Sequence, residues 1–448
     1  MRRRPHRSTT AALFTLCLVA LVMLAACAPT AAPTPTPTKA PPPPATPTAA
    51  APKVEATKPA EKPAEKPAAT PTTAVSKPTG KAVKVCYLTP LSGPVAVFGL
   101  PQSIAVKMAQ EDINNSGGIN GSPLEVLMKD SPFDPKQAVT LVRECAEKDQ
   151  ALAIFGPYSS GEYDVAAPLA KDLSLPVISA TSSKVGGTLP GRPWAFRISN
   201  TDDVMQDAGV RYFNRANPQV KKMVIVGDIA AAVIEPIIKT HFPASFKKYG
   251  LELLGTVEFT TGMTDMSAVV TKIKSMNPEG IAVIGLPAEW MLVAKELARQ
   301  GVKLPVLTTN HAAGGNTVFV VKDEVEGWIL SHHFQEDLPG PEREAYVKRF
   351  KALGEADPRM PKPVYATVEA YMYDALMYSA KVMREGKVTG DTPAQQARVI
   401  LRDGFNAMKG YKGIVRTYEM NQDGDAVGQP FPVVARKGRW ELLWKDYQ

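Results

Sequence analysis

Short apolar runs alternate with stretches of helical periodicity in the first half of the chain after residue 80. Apolar runs bounded by small or polar residues predict strands, and apolar positions three and four apart predict helices. The predicted strands cover residues 83–89, 124–129, 151–155, 176–179 and 194–199. The predicted helices between them cover residues 102–115, 134–145 and 163–173, and the second of these opens on Asp134 as its N-cap.

The same alternation restarts in the second half of the chain. Strands are predicted there over residues 222–227, 252–256, 280–286 and 306–309. The helices between them are predicted over residues 233–249, 267–276 and 290–300. A return strand over 328–332 is followed by helices over 364–384 and 393–405 and by a β-rich segment over 413–444.

The alternation of strand and helix is typical of parallel sheets whose two faces are covered by helices. Residues 81–448 number 368, which is more than a single hydrophobic core commonly serves. We therefore predict the α/β class, with two Rossmann-like lobes that are each built on a parallel sheet.

The first 27 residues have the composition of an export signal. Four arginines precede an apolar stretch over residues 11–23, which is short for a membrane span of roughly 20 residues. The motif Leu24-Ala25-Ala26-Cys27 resembles a bacterial lipobox, which predicts a lipoprotein signal peptide over 1–27 and lipidation of Cys27. An uncleaved anchor helix with a chance cysteine is the alternative. Both interpretations predict a chain held by an N-terminal anchor at the extracytoplasmic face of the cell membrane.

Residues 28–80 consist mainly of Pro, Thr, Ala and Lys and include the repeat EKPAEKPA. This composition buries too little apolar surface to fold, so a disordered tether is predicted. At roughly 3.1 Å per residue in polyproline II, the segment reaches on the order of 160 Å. A plain spacer is preferred over a role in phosphorylation, sugar attachment or protein binding.

A net charge of +8 by itself suggests nucleic-acid binding. The distribution of the charged residues along the chain argues against it. The signal and the tether carry most of the excess, and residues 81–448 hold 42 basic and 41 acidic residues. The predicted globular part is therefore nearly neutral, and no nucleic-acid partner is expected. No later uncharged run is long enough to span a bilayer.

Two cysteines, Cys86 and Cys145, belong to the predicted globular part. If the first three strands lie in the order 2-1-3, the helix that carries Cys145 crosses over the strand that carries Cys86. That order allows a disulfide in an exported protein. Two buried free thiols are the preferred alternative, because free cysteine is commonly buried.

Several segments, in their order along the chain, resemble the leucine/isoleucine/valine-binding protein family. They include LTPLSGPVAVFG, FGPYSSGEYDVAAPLA, LPVISATSSK, AFRISNTDD and VYATVEAYMYDALMYSAK. The resemblance runs from about residue 83 to residue 444. It implies a type I periplasmic binding protein fold, with two lobes joined by a three-strand hinge.

The resemblance also implies an approximate division of the chain and a function. Lobe 1 would comprise residues 81–200 and 333–414, and lobe 2 residues 201–332 and 415–448. The family members are solute receptors of ABC importers, which close over a small solute and deliver it to a permease. A monomer without a cofactor is expected, binding a small amino acid or an amino-acid-like carboxylate.

The resemblance assigns five ligand contacts around the first lobe. Ser160 would bind a ligand carboxylate together with amides at a helix start, unless it serves only as the N-cap. Thr181, through its backbone, and Ser183 would contact the amino-acid head group, unless they only form a turn. Phe98 would cover the side-chain pocket or pack in the core. Asp202, at the first crossover, would contact ligand or serve as a helix cap or hinge hydrogen bond.

The second lobe departs from the family pattern at two positions. A tyrosine of the family falls at Ala232, and the glutamate that pairs with the ligand ammonium falls at Met263. A buried ammonium without a carboxylate is costly. The ligand therefore lacks a free amine, or another acid such as Glu289 or Asp265 replaces the glutamate. Met263 suits an apolar group or simple packing.

An enzyme is not expected. The sequence Gly-Pro-Tyr-Ser-Ser-Gly over residues 156–161 is not a G-x-S-x-G nucleophile elbow. His332 and His333 are neighbours on a predicted strand and would point to opposite faces, which argues against a shared zinc ion. Residues 421–425 resemble a calcium loop only loosely, and a tight turn is preferred, so no metal is expected.

A sensor that presents its ligand, such as an amide, urea or an aromatic acid, to a membrane signalling partner is the competing function. The same fold serves both roles, so the folded part of the sequence does not separate them. Transport is preferred.

Overall fold

The computed structural model describes residues 77–93, 95–229, 231, 234–311, 314 and 316–444. The predicted signal peptide with Cys27, nearly all of the predicted tether, and Ala232 lie outside the described residues. The described residues belong to one compact unit, Thr72–Gln448. Gly80 already contacts it, because its amide donates to the carbonyl of Gly121 at 2.9 Å.

The strands of the described residues are numbered in chain order. They are β1 Val83–Thr89, β2 Leu124–Asp130, β3 Ile154–Phe155, β4 Val177–Ser179, β5 Ala195–Arg197, β6 Lys222–Asp228, β7 Glu252–Phe259, β8 Gly280–Ile284, β9 Val306–Thr308, β10 Ile329–His332, β11 Lys409–Lys412, β12 Thr417–Glu419, β13 Phe431–Arg436 and β14 Arg439–Leu442.

The helices are numbered in the same way. They are α1 Ala96–Asn115, α2 Pro135–Arg143, α3 Ser160–Asp172, α4 Asp202–Ala216, α5 Phe242–Lys248, α6 Ser267–Ser275, α7 Pro287–Arg299, α8 Thr317–Val320, α9 Pro341–Ala356, α10 Glu369–Glu385 and α11 Ala394–Asn406. Single π-helical turns at Glu144–Lys148 and Ile237–His241 follow α2 and precede α5, and a short 3₁₀ turn lies at Leu189–Gly191.

Two sheets carry the fold, as the alternating pattern predicts. The first has the order β2-β1-β3-β4-β5 with parallel pairing throughout. The second has the order β14-β13-β10-β9-β8-β6-β7, and β13 runs antiparallel to both of its neighbours. The predicted 2-1-3 order at the start of the chain is confirmed, and so is the α/β class with two parallel-sheet lobes.

Helices cover both faces of the first sheet, and β1 shows why its sequence is almost continuously apolar. Val85 and Tyr87 pack on the side of α1 and α10. Cys86 and Leu88 pack on the opposite side, against α2 and α3. All four side chains are fully buried, which is the pattern of a strand inside a parallel sheet.

Cys86 and Cys145 are joined by a disulfide, with their sulfurs 2.12 Å apart. The preferred expectation of two free thiols was therefore wrong. Burial by itself does not distinguish the two states. The crossover of α2 brings the two Cα atoms to 6.2 Å, which lies within the range that a disulfide spans.

The chain passes between the two sheets three times, at residues 198–201, 333–340 and 420–430. Arg197 and Asp425 hold the first and third passages together through a parallel bridge in the backbone. Their side chains also form a buried ion pair, with Arg197 Nε 2.9 Å from Asp425 Oδ1. The three-strand hinge implied by the family resemblance is thus present. The hairpin of β11 and β12 straddles the predicted lobe boundary at 414/415.

Some elements depart from the predicted pattern. Helix α1 begins at Ala96, ahead of the predicted start, and continues through Pro101. Helix α9 was not predicted, because only Tyr346, Phe350 and Gly354 of its residues are buried and its apolar signal is weak. Within the described residues, every helix is too short or too polar to cross a membrane.

Candidate functional site

The carboxyl ends of the parallel strands in both lobes carry the predicted contact residues. Phe98 lies in the first turn of α1, which follows β1, and Ser160 is the first residue of α3, which follows β3. Thr181 and Ser183 lie in the loop after β4. This is the edge where ligand sites lie in open α/β sheets. The loop after β9 approaches them from the second lobe. A Cβ added to Gly314 would lie only 3.7 Å from Cε1 of Phe98, so the two lobes meet at this point.

Helix α3 begins at the site, where the two serines at its start, Ser159 and Ser160, have different roles. Ser159 is the N-cap and forms a capping box with Glu162. The N-cap role considered for Ser160 therefore belongs to Ser159. Ser160 Oγ instead accepts a hydrogen bond from the amide of Ser183 at 3.2 Å and lies 3.3 Å from Ser182 Oγ. Ser160 is thus a half-buried hydroxyl beside the start of a helix, where an anion is electrostatically favoured.

Thr181 and Ser183 connect this helix start to the first crossover. Thr181 Oγ1 donates to the carbonyl of Tyr158 at 2.7 Å. Ser183 Oγ donates to Asp202 Oδ2 at 2.9 Å, and the amide of Asp202 donates back to the carbonyl of Ser183 at 2.8 Å. Asp202 is the first residue of α4, while Thr201 precedes it as the N-cap. The structure therefore places Asp202 both at the hinge and beside the predicted contacts.

Three aromatic rings form a cluster on the wall of the first lobe. Phe98 lies 5.9 Å from Phe133 and 5.8 Å from Tyr158, and the last two rings are 5.6 Å apart, measured between centroids. Sequence reasoning found Phe98 and missed the other two. Their position directly after strand ends was the available signal. Burial raises the pKa of Tyr158 above its ordinary value.

The predicted contacts of the second lobe are not brought together in the same way. Met263 is 37% exposed in the loop after the edge strand β7. Glu289 is buried and accepts a hydrogen bond from the amide of Gly262 at 2.9 Å. Asp265 is exposed and bound to Ser267. Neither acid is a free carboxylate facing Ser160.

The loop after β9 brings residues to the site that the sequence analysis did not select. His311 Nε2 lies 3.5 Å from Asp202 Oδ1, and both side chains are at most 12% exposed. The neighbouring Asn310 lies 3.0 Å from His333, between Nδ2 and Nε2. Burial lowers the pKa of His333 well below its ordinary value and keeps that ring neutral.

Several atoms of this patch are buried without a hydrogen-bond partner among the described residues. They are Asp202 Oδ1, Thr309 Oγ1, Asn310 Oδ1, His311 Nδ1 and His333 Nδ1. Buried polar groups are nearly always bonded in folded proteins. These atoms form a polar patch between the first crossover and the loop after β9.

Other features singled out in the sequence have structural explanations. Asn421 Oδ1 accepts hydrogen bonds from the amides of Asp423 and Asp425, which makes this segment a tight turn. The expectation that both histidines lie on one strand was wrong for His333, because β10 ends at His332. His332 Nδ1 lies 2.5 Å from the carbonyl of Phe334, whereas His333 lies in the second crossover and contacts Asn310. A groove of about 630 Å³ is lined by α4, residues 240–248 and residues 427–430, away from Ser160.

Two α/β lobes joined by three crossovers, with polar groups of both lobes meeting between their strand ends, define a two-lobed solute-binding protein. A family model described as periplasmic binding protein matches residues 82–438, which is most of the chain. The chain therefore belongs to the periplasmic binding protein family. These proteins are extracytoplasmic solute-binding components of ABC transporters and not enzymes, which confirms the resemblance and the class predicted from the sequence.

Curated relatives agree with this assignment. The chain is 25% identical over 275 residues to the leucine-, isoleucine-, valine-, threonine-, and alanine-binding protein of Pseudomonas aeruginosa, covering 60% of this chain and 71% of that protein. It is also 25% identical over 274 residues to Leu/Ile/Val-binding protein homolog 1 of Brucella melitensis, covering 59% and 70%.

Solved structures show the same fold. LivJ of Streptococcus pneumoniae, in complex with isoleucine, aligns with a TM-score of 0.68 and 20% identity, over 81% of this chain and 98% of that one. A solute-binding protein of R. palustris, in complex with benzoate, aligns with a TM-score of 0.67 and 17% identity, over 81% and 95%. At these identities the likeness concerns the fold alone.

Proposed function

We propose that this chain is the lipid-anchored solute receptor of an ABC importer, and that it binds a small amino acid or an amino-acid-like carboxylate between its lobes. The ligand's carboxylate is received by Ser160 and the start of α3, with Ser183 beside them. The loaded protein then delivers the solute to a permease. A monomer suffices for this role.

One observation carries the proposal, namely a line of polar contacts that runs from the first lobe to the second. Ser160 Oγ accepts a hydrogen bond from the amide of Ser183 at 3.2 Å, and Ser183 Oγ donates to Asp202 Oδ2 at 2.9 Å. Asp202 Oδ1 in turn lies 3.5 Å from His311 Nε2. A ligand held on this line contacts both lobes. Such a ligand favours the closed arrangement, because only that arrangement offers all of its contacts.

The aromatic cluster supplies an apolar wall next to the polar line. Phe98, Phe133 and Tyr158 follow β1, β2 and β3, and Thr181 links the backbone of Tyr158 to the polar contacts. A solute with a carboxylate and an apolar or aromatic body fits this combination. The names of the relatives, which include binding proteins for branched-chain amino acids, support the same class of solute.

The division of the chain and its location belong to the same proposal. Residues 1–27 direct export, Cys27 carries the lipid, and residues 28–80 act as the tether. The two sheets support the lobe assignment, since β1 to β5 lie in one lobe and β6 to β10 in the other.

Thermal shift of the chain without residues 1–27 tests the proposal against branched and aromatic amino acids, amides, urea and small carboxylic acids. A ligand at 1,000 times its Kd stabilises the protein by about 4 kcal/mol, which raises Tm by on the order of 5 °C for a folded unit of this size. The double variant Ser160→Ala/Ser183→Ala should lose most of this shift and keep the Tm of the ligand-free protein within a few degrees. An unchanged calorimetric Kd in that variant would remove the carboxylate assignment.

A further inference from the structure

The segment that brings His311 to the candidate site also contacts the first lobe at a second place, outside that site. Asn316 lies five residues after His311 and directly precedes α8. Its side-chain Nδ2 donates to the backbone carbonyl of Lys362, between α9 and α10, at 2.5 Å. Strand β9 belongs to the second sheet, whereas α9 and α10 pack against α1 of the first lobe. The hydrogen bond therefore joins the two lobes without using Ser160 or Asp202.

The direction of the Asn316 side chain is unusual for its place in a helix. Asn316 is the N-cap of α8, and an asparagine there commonly accepts a hydrogen bond from the first amides of its own helix. Its side chain forms no such cap, although the amides of Phe319 and Val320 donate to its backbone carbonyl. The side-chain amide is directed to the other lobe instead.

The first lobe holds the accepting carbonyl in a fixed place. Lys362 Nζ donates to the carbonyls of Gly354 and Asp357 at the end of α9. The amide of Val364 donates to Glu355 Oε1 at 2.9 Å. The last carbonyls of a helix need partners of this kind, and lysine commonly supplies them. The segment that carries the Lys362 carbonyl is thus secured to α9.

A second contact joins the same two surfaces. Tyr365, three residues after Lys362, donates from its hydroxyl to the carbonyl of Gly438 at 3.4 Å. Gly438 lies in the turn between β13 and β14, and a Cβ added to it would lie 3.3 Å from Cα of Phe319. The segment from Lys362 to Tyr365 therefore rests on α8 and on the β13–β14 turn together.

We infer that Asn316 is a positioning residue, whose hydrogen bond to Lys362 is a latch that holds the lobes closed. The latch is made by protein groups alone, so it favours the closed arrangement before a solute binds. It raises the affinity for solute because a larger fraction of the protein is competent to bind. It also holds the loop of His311 and Gly314 against the first lobe. The effect on solute binding rests on the proposed function, whereas the latch itself does not.

Double electron–electron resonance on the solute-free chain without residues 1–27 measures the closed fraction directly. Spin labels are attached through Lys171→Cys and Lys272→Cys, which are exposed on α3 of the first lobe and α6 of the second. Cys86 and Cys145 are joined in a disulfide and do not take up the label. The distance between the labels distinguishes closed from open protein.

Asn316→Asp is the decisive variant, because aspartate caps a helix as well as asparagine does but has no donor for the Lys362 carbonyl. The ratio of closed to open protein should fall by about fivefold, the effect of one hydrogen bond. Asn115→Asp, at the exposed end of α1, makes the same change of charge and should match the wild type. Equal distance distributions for wild type and Asn316→Asp would overturn the inference, and a role in capping alone gives that result.

Stopped-flow binding supplies a second measurement, with the compound that gives the largest shift in the thermal-shift panel. Asn316→Asp should raise the dissociation rate and Kd of that compound by about fivefold, and Asn115→Asp should change neither. Wild-type dissociation in folded Asn316→Asp would overturn the positioning role. A panel without any shift removes the proposed solute class, and the solute-free distance measurement then decides the latch by itself.

Discussion

Single residues in the interior set how this protein responds to pH. Glu369, the first residue of α10, is buried, and burial raises its pKa to about 7 although Thr367 donates two hydrogen bonds to it. Burial likewise raises the pKa of Asp374 to about 6. Both groups bind protons more tightly in the folded chain than in the unfolded chain. Their contribution to stability is therefore complete at acidic pH and is lost as pH rises through these values.

Replacement of Glu369 by Gln should flatten this dependence. The wild-type Tm should fall between pH 5 and pH 8, and Glu369→Gln should fall less and be the more stable protein at pH 8. At pH 8 the free energy of unfolding of Glu369→Gln should exceed that of the wild type by on the order of 3 kcal/mol at most. Circular dichroism melts across this range measure it, with Glu342→Gln on the exposed surface of α9 as the control. Parallel curves for wild type and Glu369→Gln would contradict a buried carboxyl at this position.

At the scale of elements, the first lobe is reinforced where a crossover helix passes its sheet. Strand β1 lies inside the sheet, and the π-helical turn after α2 lies against it. The disulfide between Cys86 and Cys145 ties these two elements together across 59 residues of chain. A crosslink of this length restricts the unfolded chain more than it changes the folded one.

The double variant Cys86→Ala/Cys145→Ala should lose about 4 kcal/mol of stability, the entropy of a loop of this length. Its Tm should fall by roughly 5 °C for a folded unit of this size. The wild type reduced with dithiothreitol should melt at a similar temperature. Free thiols in the unreduced wild type under denaturing conditions would show that the disulfide is absent. An unchanged Tm in the double variant would show that the disulfide does not stabilise the protein.

For the whole molecule, the arrangement of the lobes depends on the crossovers. Arg197 is fully buried, and it contacts Asp425, whose pKa burial raises despite the adjacent guanidinium. Arg197 also donates to the carbonyls of Ser182 and Lys184, close to the candidate site. The pair therefore joins the hinge to the loop that carries Ser183.

Asp425→Ala should destabilise the protein by about 3–5 kcal/mol, because it leaves a buried guanidinium without its partner. Urea unfolding measures the loss, and the exposed acid Glu419 supplies the control variant Glu419→Ala. Ligand affinity should weaken as well, since the Ser183 loop loses its support. A loss of less than 1 kcal/mol would show that the pair contributes little to the hinge.

The sequence by itself determined the two-lobed α/β fold and the family. Apolar periodicity is a local property, and the start of β1 at Val83 and the cap at Asp134 were therefore predictable from neighbouring residues. The segments that resemble the binding-protein family, in their order along the chain, determined the class of protein, because each segment is also a local pattern. They also selected Ser160, Thr181 and Ser183 as predicted ligand contacts, and these residues follow predicted strands closely in the chain.

Only the tertiary structure decided how distant residues combine. The choice between free thiols and a disulfide depended on neighbours in space. The cap at Ser159 did not, because Ser159 with Glu162 three residues later is a local capping-box signal that the sequence analysis missed. Nor did the sequence indicate that His311 lies beside Asp202, since they are 109 residues apart in the chain and the packing of the two lobes brings them within 3.5 Å. Binding sites between lobes are assembled by such packing, which a one-dimensional pattern does not contain.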